Sequence, residues 1–377
     1  MRVTSAVLTE IGSPRPYAAS RPLQLEELDL EGPGPGEVLV RVAAAGVCHS
    51  DLSVVDGVRP RPVPMVLGHE AAGVVEATGA DVHHVREGDH VVFAFVPSCG
   101  DCVPCLSGRP ALCERGAVTN TAGTLLSGRR PFTRPGGTAV NQHLGVSAFS
   151  ERTVASAASV VRVPAELPFE QAALFGCALL TGVGAVLNTA QVEPGSSALV
   201  VGLGGVGLAA VMGARLAGCR RVVAVDQDPD KLERAKQVGA TDVLAAAPDA
   251  VDQVREVTRG GVDYAFEAAG HPDALALAYA ATGRGGTTVG IGLPRRDQRY
   301  SLPALSLVAE ERRLVGSYMG SAVPRRDIPR YIGLFMDGRL PVDRLAGGTF
   351  ALSQVNEAME ALASGAQGRQ VLVMSAD

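Results

Sequence analysis

Ser197-Ala-Leu-Val-Val-Gly202-Leu-Gly204-Gly205-Val206-Gly207 is the stretch on which the fold turns. An apolar run enters Gly202-x-Gly204-x-x-Gly207 and continues into small residues, Leu208–Ala217, that suit a helix. Gly202 permits the tight turn, Gly204 lets the backbone approach a pyrophosphate, and Gly207 allows close helix–strand packing, with the helix N-terminus facing the phosphates. A second apolar strand, Arg221–Val225, ends in Asp226. That acid stands about twenty residues past the glycines, where a carboxylate grips both hydroxyls of an adenosine ribose. It would repel a 2′-phosphate, so NAD is favoured over NADP. A plain βα turn of a doubly wound sheet would also carry the glycines. Strand, glycines, helix, strand and acid in this order favour the dinucleotide.

The alternation continues outward from this stretch. Helices are expected over Lys231–Val238, Ala250–Val257 and Ala274–Ala281, and strands over Val243–Leu244, Val262–Glu267, Thr287–Ile291 and Arg313–Ser317. Together these make an open parallel sheet of about six strands with helical crossovers. Before Val154 short alternating runs and frequent Gly and Pro suggest a mostly β domain. An amphipathic helix, Leu352–Ala363, and a strand, Gln370–Met374, close the chain and are expected to return to that first domain.

The 377 residues suit two domains or one large one. With 34 basic and 39 acidic side chains the net charge is −5, which argues against nucleic acid or an anionic membrane as partner. An apolar share of 46% excludes disorder for most of the chain. Residues Met1–Glu10 lack the pattern of a signal peptide, so a cytoplasmic protein is expected. Two uncharged stretches, Gln171–Val192 and Gly195–Ala214, are long enough to span a bilayer, but Gly and polar residues break both, and no membrane span is expected.

Four of the seven cysteines fall in Cys99-x2-Cys102-x2-Cys105-x7-Cys113. Four soft thiolates on a tight loop suit tetrahedral zinc with no position left for water, a closed structural site. An iron–sulfur cluster or free surface thiols are the other readings. Cys48, His69 and Cys177 are dispersed. Two thiolates and one imidazole make a zinc site with an open fourth position, the catalytic pattern. Spacing alone does not link them, since a lone Cys is often a small buried hydrophobe and a lone His an ordinary polar group.

With these residues in view, the chain resembles the zinc-dependent medium-chain alcohol dehydrogenases over nearly its whole length. The sharpest match is Gly68-His69-Glu70-x2-Gly73-x5-Gly79-x2-Val82, joined by the four-cysteine lobe and the Gly202–Gly207 turn. The resemblance implies an α/β chain with a GroES-like, mostly-β catalytic domain over 1–178, a doubly wound (Rossmann) NAD-binding domain over 179–320, and a return to the catalytic domain over 321–377. It implies two zinc ions per chain. Cys48, His69 and Cys177 would hold the catalytic one, and Cys99, Cys102, Cys105 and Cys113 the structural one. Glu70 would approach the metal, Asp51 would orient His69, and Ser50 would take the alcohol proton. His49 and Arg369 would meet the coenzyme pyrophosphate, Asp226 and Lys231 the adenosine ribose, and Thr181 and Val206 the nicotinamide, beside Gly204 and Gly205 of the turn.

The expected reaction is reversible hydride transfer between a small-molecule alcohol or aldehyde and NAD. Ser53 stands where animal members often carry a relay histidine. The segment Thr119–His143 resembles that of the thiol-dependent formaldehyde dehydrogenase branch, yet Ala117 occupies the place of that branch's substrate-binding arginine. The pocket positions implied by the resemblance are Phe95, Val118, His143, Leu144 and Leu293, which favours a primary or aromatic alcohol. A thiol-dependent formaldehyde dehydrogenase is the alternative. A nucleotide-binding protein without turnover is a third reading, opposed by the intact Cys48, Ser50, His69 and Cys177. A homodimer built by the coenzyme domains is expected, with a tetramer the other possibility.

Overall fold

The structure, a computed structural model, describes residues 1–374. The last three residues of the expected closing segment 321–377 lie outside that range. The chain packs into two compact units. The first contains Met1–Cys177, Val323–Ile332 and the chain from Ala346 onward, and the second contains Ala178–Ala322 and Gly333–Leu345.

The first unit is mostly β. Strands Arg2–Leu8, Leu23–Leu30, Phe132–Thr133, Ala139–Gln142 and Met65–Val66 close a barrel, filled by Val3, Val7, Leu28, Phe132 and Val140. Beside it lies a mixed sheet centred on Glu37–Gly46, whose residues are almost all buried. Such a strand reads as a continuous apolar run because both faces are covered. Glu70–Thr78 pairs antiparallel with it on one side, and the tail strand Arg369–Val373 pairs antiparallel on the other. The helix Val355–Ala363 buries Val355, Ala358, Met359 and Leu362 in the same core, the larger of these contributing about 1.5–3 kcal/mol apiece. Its outer face is pinned by Glu360, which accepts from Arg15 at 2.6 Å and from the backbone of Tyr17 at 2.7 Å. The tail helix and strand thus pack in the first unit, whereas Gly333–Leu345, within the expected closing segment 321–377, belong to the second. Locally, Leu352–Gln354 form a separate 3₁₀ turn ahead of the helix, the closing strand runs over Arg369–Val373, and a strand not expected from the sequence, Ala346–Ala351, pairs parallel with it.

The second unit carries a six-stranded, all-parallel sheet. Its spatial order is Asp242–Ala245, Arg221–Asp226, Ser197–Val201, Val262–Glu267, Thr282–Gly290, Arg313–Gly316. Counted along the chain this is 3-2-1-4-5-6, the dinucleotide-binding arrangement, with the order reversing between strands one and four. Val and Ala dominate the central strands because helices cover both faces. The helix that opens at Gly205 runs to Leu216 and buries Leu208, Ala210, Val211 and Met212. Among the described residues no single helix is long and apolar enough to cross a membrane.

Candidate metal centres and coenzyme turn

The strand Glu37–Gly46 delivers Cys48 to the N-cap of a short helix, His49–Val55. Asp51, in the first turn of that helix, reaches back with Oδ2 to accept from the Cys48 N–H at 3.0 Å. An acid at this position caps the orphan amides of a helix start. Its other oxygen, Oδ1, accepts from the Gly68 N–H at 3.2 Å and bonds His69 Nδ1 at 2.9 Å. One buried carboxylate thus ties the Cys48 loop to the Gly68-His69 turn. This bond commits Nδ1 of His69 and leaves Nε2 buried without a hydrogen-bond partner. Burial opposes ionisation of Asp51, but His69 and His143 outweigh it and hold the carboxyl down at about 2.

His69 Nε2 is not orphaned at random. The ligand atoms of Cys48, His69, Glu70 and Cys177 all lie within 4.8 Å of one another, and all four residues are buried. Cys177 reaches the cluster from the turn Ala173–Gly176, where a side chain at Gly176 would collide with the Phe93 carbonyl. The two thiols interact directly. The bond from Cys177 pulls Cys48 well down toward the thiolate, and the same bond, with burial, pushes Cys177 well up. Burial works against charge on His69, yet Asp51 and Cys48 raise its pKa. A crowded, dry set of two sulfurs and one imidazole nitrogen with no other partner is the donor set that zinc takes.

Glu70 is fully buried behind the cluster, and burial lifts it to about 7. Arg369 opposes that lift; its Nε stands 3.3 Å from Glu70 Oε2, an ion-pair contact without hydrogen-bond alignment. Arg369 also donates to the Val47 carbonyl at 3.2 Å and is only 4% exposed. The Arg369 guanidinium therefore packs against the metal-site cluster. His143 is equally buried; its Nδ1 lies 3.1 Å from Asp51 Oδ1, again outside hydrogen-bond alignment, and its ring meets His69 edge-on at 5.5 Å. Phe95 packs edge-on against His69 from another side at 5.6 Å. Of the expected pocket positions, Phe95, His143 and Leu144 are buried in the first unit, whereas Val118 is 68% exposed on the helix Glu114–Ala122 and Leu293 is 51% exposed in the second unit. Ser50 is half-buried and His49 exposed. Ser53, at the relay-histidine position, donates to the His49 carbonyl at 2.6 Å and accepts from Arg59 at 3.2 Å, so its hydroxyl serves the helix. The contacts Arg369–Glu70 and His143–Asp51 had no signal in the sequence, since each joins residues far apart in the chain.

Asp51→Asn gives a test of the second layer. An amide that accepts from His69 turns its own N–H₂ toward the Cys48 N–H, a donor against a donor. Metal affinity at the Cys48, His69, Cys177 cluster is expected to fall about 10–100-fold, read by chelator competition. The four-cysteine lobe is expected to keep its affinity.

In that lobe Cys99, Cys102, Cys105 and Cys113 place their sulfurs within 4.8 Å of one another. Cys113 accepts from the amides of Cys99 at 3.2 Å and Gly116 at 3.3 Å, and Cys99 accepts from Cys102 at 3.4 Å. Amides aimed at sulfur favour thiolates, and those of Cys105 and Glu114 bring Cys102 down to about 7. Burial and neighbouring thiols push Cys105 up to about 12. Four sulfurs this close ionise together only around a cation, and all four positions are filled by protein.

In the second unit Gly202 has φ +88°, and a side chain there would meet the Ala269 nitrogen at 2.7 Å. A side chain at Gly207 would collide with the Gly202 carbonyl, while nothing stands within 4 Å of a side chain at Gly204. The turn is closed on its protein side and open where a phosphate would approach. Asp226 holds the turn from the next strand, accepting from Leu203 N–H at 2.7 Å and Asp228 N–H at 3.0 Å. Lys231 lies 4.0 Å from Asp228. Thr181 is buried, and Val206 is half-buried in the first turn of the helix that starts at Gly205. The open cradle fits a dinucleotide.

Residues 34–165 match the alcohol dehydrogenase GroES-like domain family, and residues 205–337 match the zinc-binding dehydrogenase family. A Mycobacterium tuberculosis protein provisionally named alcohol dehydrogenase D is 41% identical over 377 residues, 99% of this chain and 100% of that protein. Alcohol dehydrogenase class-3 of Myxine glutinosa is 38% identical over 363 residues, 94% of this chain and 96% of that one. The crystal structure of benzyl alcohol dehydrogenase from Acinetobacter calcoaceticus superposes with a TM-score of 0.92 at 32% identity and covers 100% of both chains.

Proposed function

The chain belongs to the zinc-dependent medium-chain alcohol dehydrogenases, and from that premise we propose that it oxidises primary or aromatic alcohols with NAD, reversibly, using one catalytic and one structural zinc per chain. The observation that carries this reading is the buried His69 Nε2, unpartnered and converging with the Cys48 and Cys177 sulfurs. When bound, zinc supplies Lewis acidity that lowers a hydroxyl pKa, and NAD supplies the hydride chemistry.

The chain's own residues do the rest. Asp51 fixes the His69 tautomer with Nδ1 protonated and Nε2 free for the metal. Phe95 covers the His69 ring with apolar surface that excludes water and suits an aromatic ring. Ser50 Oγ takes the proton from the alcohol. His49, exposed beside it, passes that proton outward. Gly202–Gly207 cradle the pyrophosphate, and Asp226 receives the ribose hydroxyls. Glu70, lifted to about 7 and paired with Arg369, supplies a carboxyl that can approach the metal as ligands exchange. The similarity to a benzyl alcohol dehydrogenase supports an aromatic substrate. We read the protein as cytoplasmic and as a homodimer built by the second unit.

The similarity to a class-3 alcohol dehydrogenase favours a second reading, formaldehyde oxidation as a thiol adduct. Ala117 speaks against it, having no charge for an adduct's carboxylate. One assay separates the two: NADH formation with aliphatic and benzylic alcohols, and with formaldehyde with and without thiols. Turnover of benzylic and primary alcohols without thiol is expected. Turnover only with formaldehyde and a thiol would replace the first reading with the second.

A further inference from the structure

Three turns meet at the carboxyl edge of the parallel sheet, beside the point where its strand order reverses. They are Gly202–Gly207, Ala268–His271 and Ile291–Leu293. In sheets of this type ligands bind in that crevice. Glu267 ends strand four and is fully buried. Its carbonyl accepts from Ile291 N–H at 2.8 Å and Gly292 N–H at 3.0 Å. Its carboxyl Oε1 accepts from Gly270 N–H at 2.5 Å, while Oε2 is buried with no hydrogen-bond partner. The next residue, Ala268, donates to the Val201 carbonyl at 2.8 Å and ties the Glu267 turn to the strand that enters the glycine turn.

The three turns have no slack between them. A side chain at Gly202 would meet Ala269 N at 2.7 Å and Ala269 Cβ at 2.8 Å. A side chain at Gly270 would meet the Leu293 carbonyl at 2.9 Å, and one at Gly292 would collide with Gly270 N. Movement of the middle turn is therefore passed to Gly202, because close-packed backbone cannot absorb it. Packing alone does not call for a carboxyl here, since burying one carries a desolvation cost that a Leu would avoid. Burial raises the pKa of Glu267, against the amides of Gly270, Ala269 and His271 that favour its charged form.

We infer that Glu267 is a positioning residue for the coenzyme: its bond to the Gly270 amide holds the Ala268–His271 turn against the Gly202 turn, in the place that receives the pyrophosphate. This rests on the reading of the second unit as the coenzyme-binding one. The test is NADH binding, followed by fluorescence on the zinc-loaded full chain, for wild type and three variants. Glu267→Leu removes the acceptor and is expected to weaken binding about tenfold, the equivalent of one hydrogen bond at ~1.4 kcal/mol. Glu267→Asp keeps the charge but withdraws the oxygen by one methylene, and about fivefold weakening is expected by the same conversion. Glu267→Gln keeps an acceptor for Gly270 and is expected to bind within about twofold of wild type. At saturating NAD, kcat is expected to stay near wild type in all three, so the effect falls on KM. Wild-type affinity in the Leu and Asp variants would overturn the inference, whatever their Tm. So would a Gln variant as weak as Leu, because charge and not the Gly270 bond would then be the cause. If the Leu variant does not fold, the Asp and Gln pair decides. A wild type that binds no NADH would instead sink the coenzyme reading itself.

Discussion

His69→Ala and Cys177→Ser are each expected to lower kcat/KM by about four orders of magnitude while NADH binding stays intact. The Lewis acid contributes several kcal/mol to such a reaction, and each ~1.36 kcal/mol is a factor of ten in rate. His69→Ala deletes the one buried nitrogen aimed at Cys48 and Cys177 and also strips Asp51 of its closest partner, at 2.9 Å. Cys177→Ser replaces a soft ligand by a hydroxyl that does not ionise at neutral pH, in a cluster where Cys48 is the readier thiolate. Metal analysis is expected to fall from two zinc ions per chain to one, because the four-cysteine lobe shares no ligand with this cluster. The glycine turn and Asp226 lie in the other unit, so coenzyme binding is the control. Full turnover in either variant would remove the cluster from the mechanism.

Asp226→Ala is expected to shift the preference for NAD over NADP by about three orders of magnitude. A carboxylate and a 2′-phosphate charge held near 4 Å interact unfavourably by ~4 kcal/mol at an effective dielectric constant of 20, which is roughly a thousandfold. Two effects add. NADP gains because the repulsion is gone. NAD loses because the ribose hydroxyls lose their acceptor, and because the Leu203 and Asp228 amides, now held at 2.7 and 3.0 Å, are released. The ratio of kcat/KM values for the two coenzymes, measured with one alcohol, reports the sum. An unchanged ratio would mean that Asp226 serves only the turn.

The parts of the molecule that were legible in the sequence are those written in local spacing. Gly202, Gly204 and Gly207 followed by Asp226 foretold the parallel sheet, and Cys99 to Cys113 foretold a lobe whose four sulfurs converge. Cys48, His69 and Cys177 lie far apart, and only the family resemblance drew them together before the fold did. Nothing local marks Arg369 as the partner of Glu70, because the tail strand must first pair with Glu37–Gly46 to bring them together. The same holds for His143, whose place beside Asp51 depends on the barrel strand Ala139–Gln142 that precedes it. Glu267 carried no motif at all: an acid ending an apolar strand resembles Asp226, but its role depends on which turns the sheet order sets side by side. Val118 and Leu293, pocket positions that the resemblance implies, are largely exposed, and no local spacing marks them.

The tail strand Arg369–Val373 has a consequence for biosynthesis. It completes the sheet beside Glu37–Gly46, and Arg369 reaches Val47 across 322 positions of chain. At translation rates of about 5–20 residues per second, that separation is roughly 16–65 seconds of synthesis. Throughout that interval one edge of the central strand stays open on the ribosome, next to Cys48. The six strands of the second unit all lie between Ser197 and Gly316, so its sheet is complete while the first unit still waits. A nascent chain therefore presents a finished parallel sheet and an unfinished metal fold at the same moment, and it is the latter that needs shielding from edge-to-edge association until its last strand arrives.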